Sequence, residues 1–315
     1  MTHGTRGAVA GTRQSTRIVV GVEGTVGANA YQPDTASDIL DAGVSWDRGA
    51  ADTAAARSLG FSNLVVPQDG PDGNCTGDSV SQVVGLARAQ VPAMEANGQH
   101  LMELCNEAYI TVSAQTYARW YDAVHKALAG TGIILGANAI WPSACSAAYN
   151  SGGCDWMGQV IAGIARLNGV SKATAAREID AWTIHPYASR IATYAYYIKT
   201  AHDQAVADGS DAPWWVTETG ACVNTCWMSN GTRTQQDQAN ELTAELDDLV
   251  QHTSDPGTPF SWVKVWIWYA IIDYSDGQWG LMDHSCPAKC TITGLRPSYY
   301  ALKAWMQNHA SRTDG

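Results

Sequence analysis

Short β-branched runs alternate with stretches of helical period along nearly the whole chain. Strand-like runs fall at 18–22, 44–46, 64–66, 133–137, 181–184, 214–217 and 263–268. A further run, HLMELCNEAY at 100–109, is apolar until it breaks off at Asn106–Glu107. Between them, Val80, Val83, Val84, Ala87 and Val91 keep the spacing of one helix face. So do Tyr117, Trp120, Tyr121, Val124 and Leu128, with Ser113 placed to cap the helix that carries them. Met157, Val160, Ile161, Ile164 and Leu167 predict another helix, as do Leu242, Leu246 and Val250. Ala-rich or Tyr-rich helical segments at 36–42, 50–59, 193–207 and 299–306 complete the pattern.

Eight such alternations with no composition break predict a single-domain α/β fold, a (β/α)8 TIM barrel over residues 18–310. A doubly wound open sheet is the alternative. In either fold, polar residues that end strand runs collect at the face where ligands bind. Here they are Glu23, Arg48, Asn106, Glu107, Asn138, His185, Tyr187 and Glu218. Glu107 and Glu218 are separated by about three βα units of roughly 35–40 residues, which sets strands four and seven across the barrel mouth from each other. A carboxylate straight after a buried run is costly unless a cleft and partners receive it.

Composition narrows the class. The formal charge of −11, with only 19 Lys and Arg, argues against nucleic acid or an anionic membrane as partner. No apolar run approaches the ~20 residues of a membrane span. Thirteen Trp and thirteen Tyr stand against two Phe; rings with a polar edge suit a half-wet sugar cleft, although packing accounts for many of them. Residues 1–17 lack a hydrophobic segment of the signal type and read as a flexible leader.

The eight cysteines bear on the compartment. Three close pairs, Cys145–Cys154, Cys222–Cys226 and Cys286–Cys290, lie in Gly/Ser/Asn/Pro-rich stretches, which favours disulfides and a secreted, extracellular protein. The two C-x3-C pairs could instead form a four-thiolate zinc site. Cys105, inside a strand pattern, is either a buried free thiol or a partner for Cys75.

Two carboxylates at one cleft suit glycosidic cleavage, in which one protonates the leaving oxygen and the other attacks the anomeric carbon or activates water. Arg48 would keep the attacking group ionised, and that charge would keep its partner protonated. The chain resembles retaining glycoside hydrolases of the large (β/α)8 clan A, and among them family-39-like and family-79-like members. Asn106–Glu107, with Glu103–Leu104 before it, resembles the acid/base motif after strand four. Thr217–Gly220 (TETG) resembles the nucleophile motif after strand seven. Ala42–Gly49 resembles the end of strand two, with Arg48 as its arginine; Trp182–Tyr187 (WTIHPY) resembles strand six. VWIWYAIIDYSDGQWGLMD and LRPSYYALKAW resemble the strand-eight tryptophan platform and the terminal helix. The usual proline after the acid/base is Ala108 here, and Cys105 replaces a more usual Gly or Trp.

The resemblance implies Glu218 as nucleophile and Glu107 as acid/base, with substrate contacts from Arg48, Asn106, His185, Tyr187, Trp268 (or Trp266, depending on strand phase) and Trp141. Trp279 is a loop candidate for a further subsite, and Glu23 and Asn138 read as structural. The expected substrate is a polysaccharide or oligosaccharide, cleaved without cofactor or metal by a monomer. A barrel that binds carbohydrate without cleaving it, or a transglycosylase using the same two glutamates, are the rival functions. No His pair has the i, i+2 or i, i+4 spacing of metal hydrolases, and there is no G-x-S-x-G elbow.

Overall fold

The computed structural model describes residues 17–24, 33–49, 53–67, 75–141, 155–188, 191–224, 233–253, 260–273, 277–284 and 292–314. Residues 1–16 of the expected leader lie outside them. Eight parallel strands run in chain order: β1 (Ile18–Glu23), β2 (Trp46–Gly49), β3 (Ser62–Val65), β4 (Leu101–Glu103), β5 (Ile134–Asn138), β6 (Ala181–Ile184), β7 (Trp214–Thr219) and β8 (Val263–Trp268). Val19–Val22 of β1 pair with Val265–Trp268 of β8, which closes the sheet and rules out the open alternative. The protein is a TIM barrel.

The helices wrap the outside: α1 (Pro33–Asp41), α2 (Thr53–Ser58), α3 (Val80–Ala96), α4 (Ala114–Ala127), α5 (Trp156–Asn168), α6 (Lys172–Ala176), α7 (Ile191–Ala207), α8 (Gln235–Thr253) and α9 (Pro297–His309). Ser79 caps α3 in a reciprocal capping box with Gln82, and Ser113 caps α4 as its sequence predicts. A short hairpin, β9 (Met282–His284) with β10 (Ile292–Leu295), and β11 (Thr313–Asp314) beside β1 are additions that no periodicity announced. No helix among the described residues is long and apolar enough to cross a membrane.

The core has two parts. Val19, Leu64, Val66, Leu101, Ala181, Trp215, Val265 and Ile267 fill the barrel, and a larger cluster packs between strands and helices. Trp215 takes so much of the interior that β5 must carry a glycine opposite it. A Cβ on Gly136 would lie 2.4 Å from Thr183 Cγ2 and 2.8 Å from Trp215 Cζ3.

Cys105 is bonded to Cys75, so it is not a free thiol. Cys222 is disulfide-bonded as well, which removes it from the four-thiolate zinc site considered above. Cys145, Cys154, Cys226, Cys286 and Cys290 lie outside the described residues.

Candidate functional site

Arg48 organises the mouth of the barrel. It sits within β2, in register with Glu23 of β1, and is almost wholly buried. Its Nε donates to Glu103 Oε2 at 2.8 Å and its Nη2 to Asn106 Oδ1 at 2.8 Å. Its Nη1 donates to two carboxyl groups, Glu23 Oε2 at 2.7 Å and Glu218 Oε1 at 2.5 Å. One guanidinium therefore collects three acids from three strands. Burial opposes its charge, but Glu103, Glu23 and Glu218 overcome that and hold its proton firmly. Removing such a hub strands buried like charges, so Arg48→Met should cost about 3–5 kcal/mol, read as a lower melting temperature at neutral pH.

Glu103 was legible only as part of a motif, yet it is the most enclosed acid of the group, with no exposure. It accepts from Arg48 and from Thr217 Oγ1 at 3.0 Å. Burial would raise its pKa, but Arg48 and His185 outweigh burial and hold it down to about 2. A carboxyl depressed from 4.5 supplies stability above that value and loses it only as pH falls through about 2.

Glu218 reaches the mouth through a β-bulge. Val216 pairs with Trp266 and Thr219 with Trp268, so β7 spends three residues where β8 spends two. Thr217 then points inward to Glu103, and Thr219 outward to Glu245 of α8 at 2.9 Å. In an unbroken strand Glu218 would alternate away from Thr217, toward the helices. With the bulge it joins the cluster, its Oε2 accepting from Tyr187 Oη at 2.7 Å.

Glu107 arrives differently from its predicted place at a strand end. Strand β4 stops at Glu103, and both Cys105 (φ 60°) and Glu107 (φ 45°) take left-handed backbone that non-glycine residues seldom adopt. Three restraints hold that bend: the Cys75–Cys105 bond, Asn138 Nδ2 donating to Cys105 O at 3.1 Å, and Ala108 N donating to Asn138 Oδ1 at 2.9 Å. Asn138 is thus a support for this loop. The Glu107 side chain keeps 24% exposure, and its Oε1 accepts from Tyr109 Oη at 2.8 Å.

His185 joins the two. Its Nδ1 lies 3.0 Å from Glu107 Oε1 and 3.3 Å from Glu218 Oε2, and its Nε2 lies 3.1 Å from Thr217 Oγ1. Burial would lower its pKa, but Glu218, Glu103 and Glu107 push it up to about 10. The imidazolium reverses the expectation that Glu107 stays protonated. Although burial acts to raise it, His185 and Tyr109 hold Glu107 below the ordinary carboxylate range.

The aromatic expectations need correction. Trp268 has 0% exposure and presents no face to the cleft. In β8, Val265 and Ile267 face the barrel interior; Trp266 and Trp268 belong to the outer cluster, where Trp266 Nε1 donates to Glu245 at 3.3 Å. Trp266 fails as the alternative for the same reason. The next residue, Tyr269, is half-buried and sets its ring edge-on to Tyr187 at 6.0 Å. Trp279 is buried against both tyrosines. Trp141, nearly buried, meets the edge of Tyr109 at 5.6 Å and backs the ring that holds Glu107. Among the described residues no three His, Cys, Asp or Glu side chains are grouped to hold a metal ion.

A family model described as the glycosyl hydrolase catalytic core matches residues 96–285. No curated protein matches the chain. Among solved structures it is similar to a family 39 glycoside hydrolase from Bacteroides cellulosilyticus WH2, with a TM-score of 0.56 and 17% identity. That match covers 92% of this chain and 64% of that protein, so the chain spans under two thirds of its length. It is also similar to a subgroup I GH128 endo-β-1,3-glucanase from Amycolatopsis mediterranei, a glutamate mutant in complex with laminarihexaose. There the TM-score is 0.56 and the identity 19%, over 92% of this chain and 99% of that one. A fungal β-1,4-galactanase gives a TM-score of 0.60 at 10% identity, covering 92% and 99%. At these identities the structural likeness speaks to the barrel alone.

Proposed function

The chain belongs to the glycosyl hydrolase catalytic core family and is a glycosidase; within that class, we propose a secreted, monomeric β-glycoside hydrolase that retains configuration and cuts within a polysaccharide. The observation that carries this is the single His185 nitrogen shared by Glu107 and Glu218. Oxygens 3.0 and 3.3 Å from one atom stand no more than about 6.3 Å apart, short of the ~6.5–9.5 Å that an inverting enzyme keeps open for water.

Glu218 is the nucleophile. Arg48 and Tyr187 each hold one of its oxygens and fix its aim at the anomeric carbon. Glu107, the more exposed of the two, protonates the leaving oxygen and later takes a proton from water. Its proton comes from the imidazolium of His185, since a bound sugar that excludes water favours the neutral pair over the ion pair. Asn106, oriented by Arg48, meets the sugar 2-hydroxyl. Tyr269 takes the sugar-facing place that Trp268 cannot fill.

His185→Asn should lower kcat/KM by about 10²-fold or more. Its residual activity should also fail at lower pH on the alkaline side, because the imidazolium that holds a proton until about 10 is gone. An unchanged pH profile would detach His185 from the proton. The disulfides favour the extracellular assignment, as reducing compartments seldom keep them.

The function is tested by a panel of laminarin, β-1,4-galactan, cellulose, xylan and aryl β-glycosides, with product sizes read by mass spectrometry. Laminarin comes first because neighbours include an endo-β-1,3-glucanase and a β-1,3-glucanosyltransferase in complex with laminaritriose. A spread of internal fragments is expected. Binding without turnover across the panel would favour a carbohydrate-binding barrel, and products longer than the substrate a transglycosylase.

A further inference from the structure

Glu23 reads as structural in the sequence, a lone acid before a glycine-rich loop. Its surroundings say otherwise. It ends β1 at the barrel mouth and shares Arg48 Nη1 with Glu218. Only its Oε2 is engaged; among the described residues Oε1 has no hydrogen-bond partner, and the side chain keeps 18% exposure. A carboxyl held by one oxygen beside the nucleophile, with the other bonded to none of the described groups, has the form of a ligand contact. A sugar carbon placed for attack by Glu218 brings its ring hydroxyls into this neighbourhood. We propose that Glu23 is a substrate-binding residue of the subsite at Glu218, donating a hydrogen bond from Oε1 to a hydroxyl of the bound sugar.

Donation requires a proton, and the neighbouring charges supply the reason for one. Among the described residues four groups face Glu23: Arg48 of β2, Glu218 of β7, and His185 and Tyr187 after β6. Burial raises its carboxyl and the Glu218 charge adds to that; Arg48 and His185 oppose them, leaving it pushed up to about 8. Arg48 is already divided among Glu103, Glu23 and Glu218. A third ionised partner therefore gains less attraction than it loses in hydration and repulsion. Oε2 accepts from Arg48 as the carbonyl oxygen of an acid would, and Oε1 carries the proton outward. The bound group is a neutral polyol hydroxyl, which suits a sugar and disfavours a uronate at this position.

This inference rests on the Glu218 reading, and the experiment separates the two. Kinetics are measured on the polysaccharide that the panel identifies, from pH 5 to 10. Below the limb near pH 10 that His185 sets, the wild type should show a first loss of kcat/KM near pH 8 as Glu23 ionises. Glu23→Gln, which keeps a donor and an acceptor, should move that first loss upward and lose less activity than Glu23→Ala. For Glu23→Ala the expected loss is about 10–100-fold. Binding is then measured by calorimetry with laminaritriose, or with the trisaccharide of whichever polysaccharide is cleaved, in a Glu218→Ala background. Adding Glu23→Ala should weaken Kd by about tenfold or more, and adding Glu23→Gln by less.

Melting curves separate a merely structural role. A folded carboxyl raised from 4.5 to about 8 costs stability progressively across that range, so Glu23→Gln should melt higher than wild type at pH 8 and equal to it near pH 4.5. If Glu23→Ala fails to fold, Glu23→Gln alone decides through its pH limb. A first alkaline loss unmoved in Glu23→Gln, or trisaccharide affinity untouched by Glu23→Ala, overturns the inference. Full activity in Glu218→Ala would overturn the parent reading instead.

Discussion

Glu218→Ala is expected to lower turnover of the natural polysaccharide by about 10⁴-fold or more, the scale seen when a covalent nucleophile is removed. The melting temperature should change little, because Arg48 still pairs with Glu103 and Glu23. Added azide should restore cleavage of an activated aryl glycoside, since the small anion fits where the carboxylate stood. The product should be the glycosyl azide of inverted configuration, because only one displacement then occurs. Full activity in this variant would refute the assignment, and rescue with retained configuration would show that another residue attacks.

The second large effect belongs to Glu107→Gln. General acid catalysis is worth about 10²–10⁴-fold, but only where the leaving group needs a proton. The natural polysaccharide should therefore slow by that amount, whereas a dinitrophenyl glycoside, which leaves unaided, should form the glycosyl-enzyme at nearly the wild-type rate. Equal slowing of both substrates would contradict an acid role. The variant also removes one carboxylate from around His185, whose raised pKa owes part of its elevation to Glu107.

The barrel was legible because its evidence is periodic. Eight apolar runs and the helical faces between them survive errors of two residues at either end. The position of Glu218 was legible too, but not its reason. The run Trp214–Thr219 is buried at every position, so alternation carried no phase, and only the pairing with β8 reveals the bulge. Loss of phase also misplaced Trp268: in β8 every residue but Lys264 is buried, and composition cannot distinguish a tryptophan lining a cleft from one packed under helices. Tyr269 could have been found only by knowing where the strand ends.

Glu107 shows a different limit. The apolar run suggested a strand as far as that residue, whereas the chain leaves β4 at Glu103 and crosses to Glu107 through left-handed backbone. The restraints that hold the crossing come from Cys75 and Asn138, about 30 residues away on either side, which no local pattern records. Glu103 does not stand out in the sequence as an acid in its own right, because a glutamate within a strand has no visible role until its partners are known. Its partners, Arg48 and Thr217, belong to other strands. The gathering of polar strand ends at one face was thus readable, and its wiring was not.

That wiring makes one demand: a single sugar carbon must be reachable by Glu218 while Glu107 touches the oxygen that departs. The most direct test is to trap the intermediate with a 2-deoxy-2-fluoro glycoside of the cleaved sugar and map the labelled peptide by mass spectrometry. One added glycosyl group is expected, on Glu218. A label on Glu23, Glu103 or Glu107, or no label from an enzyme whose first product has the inverted anomeric configuration, would contradict it.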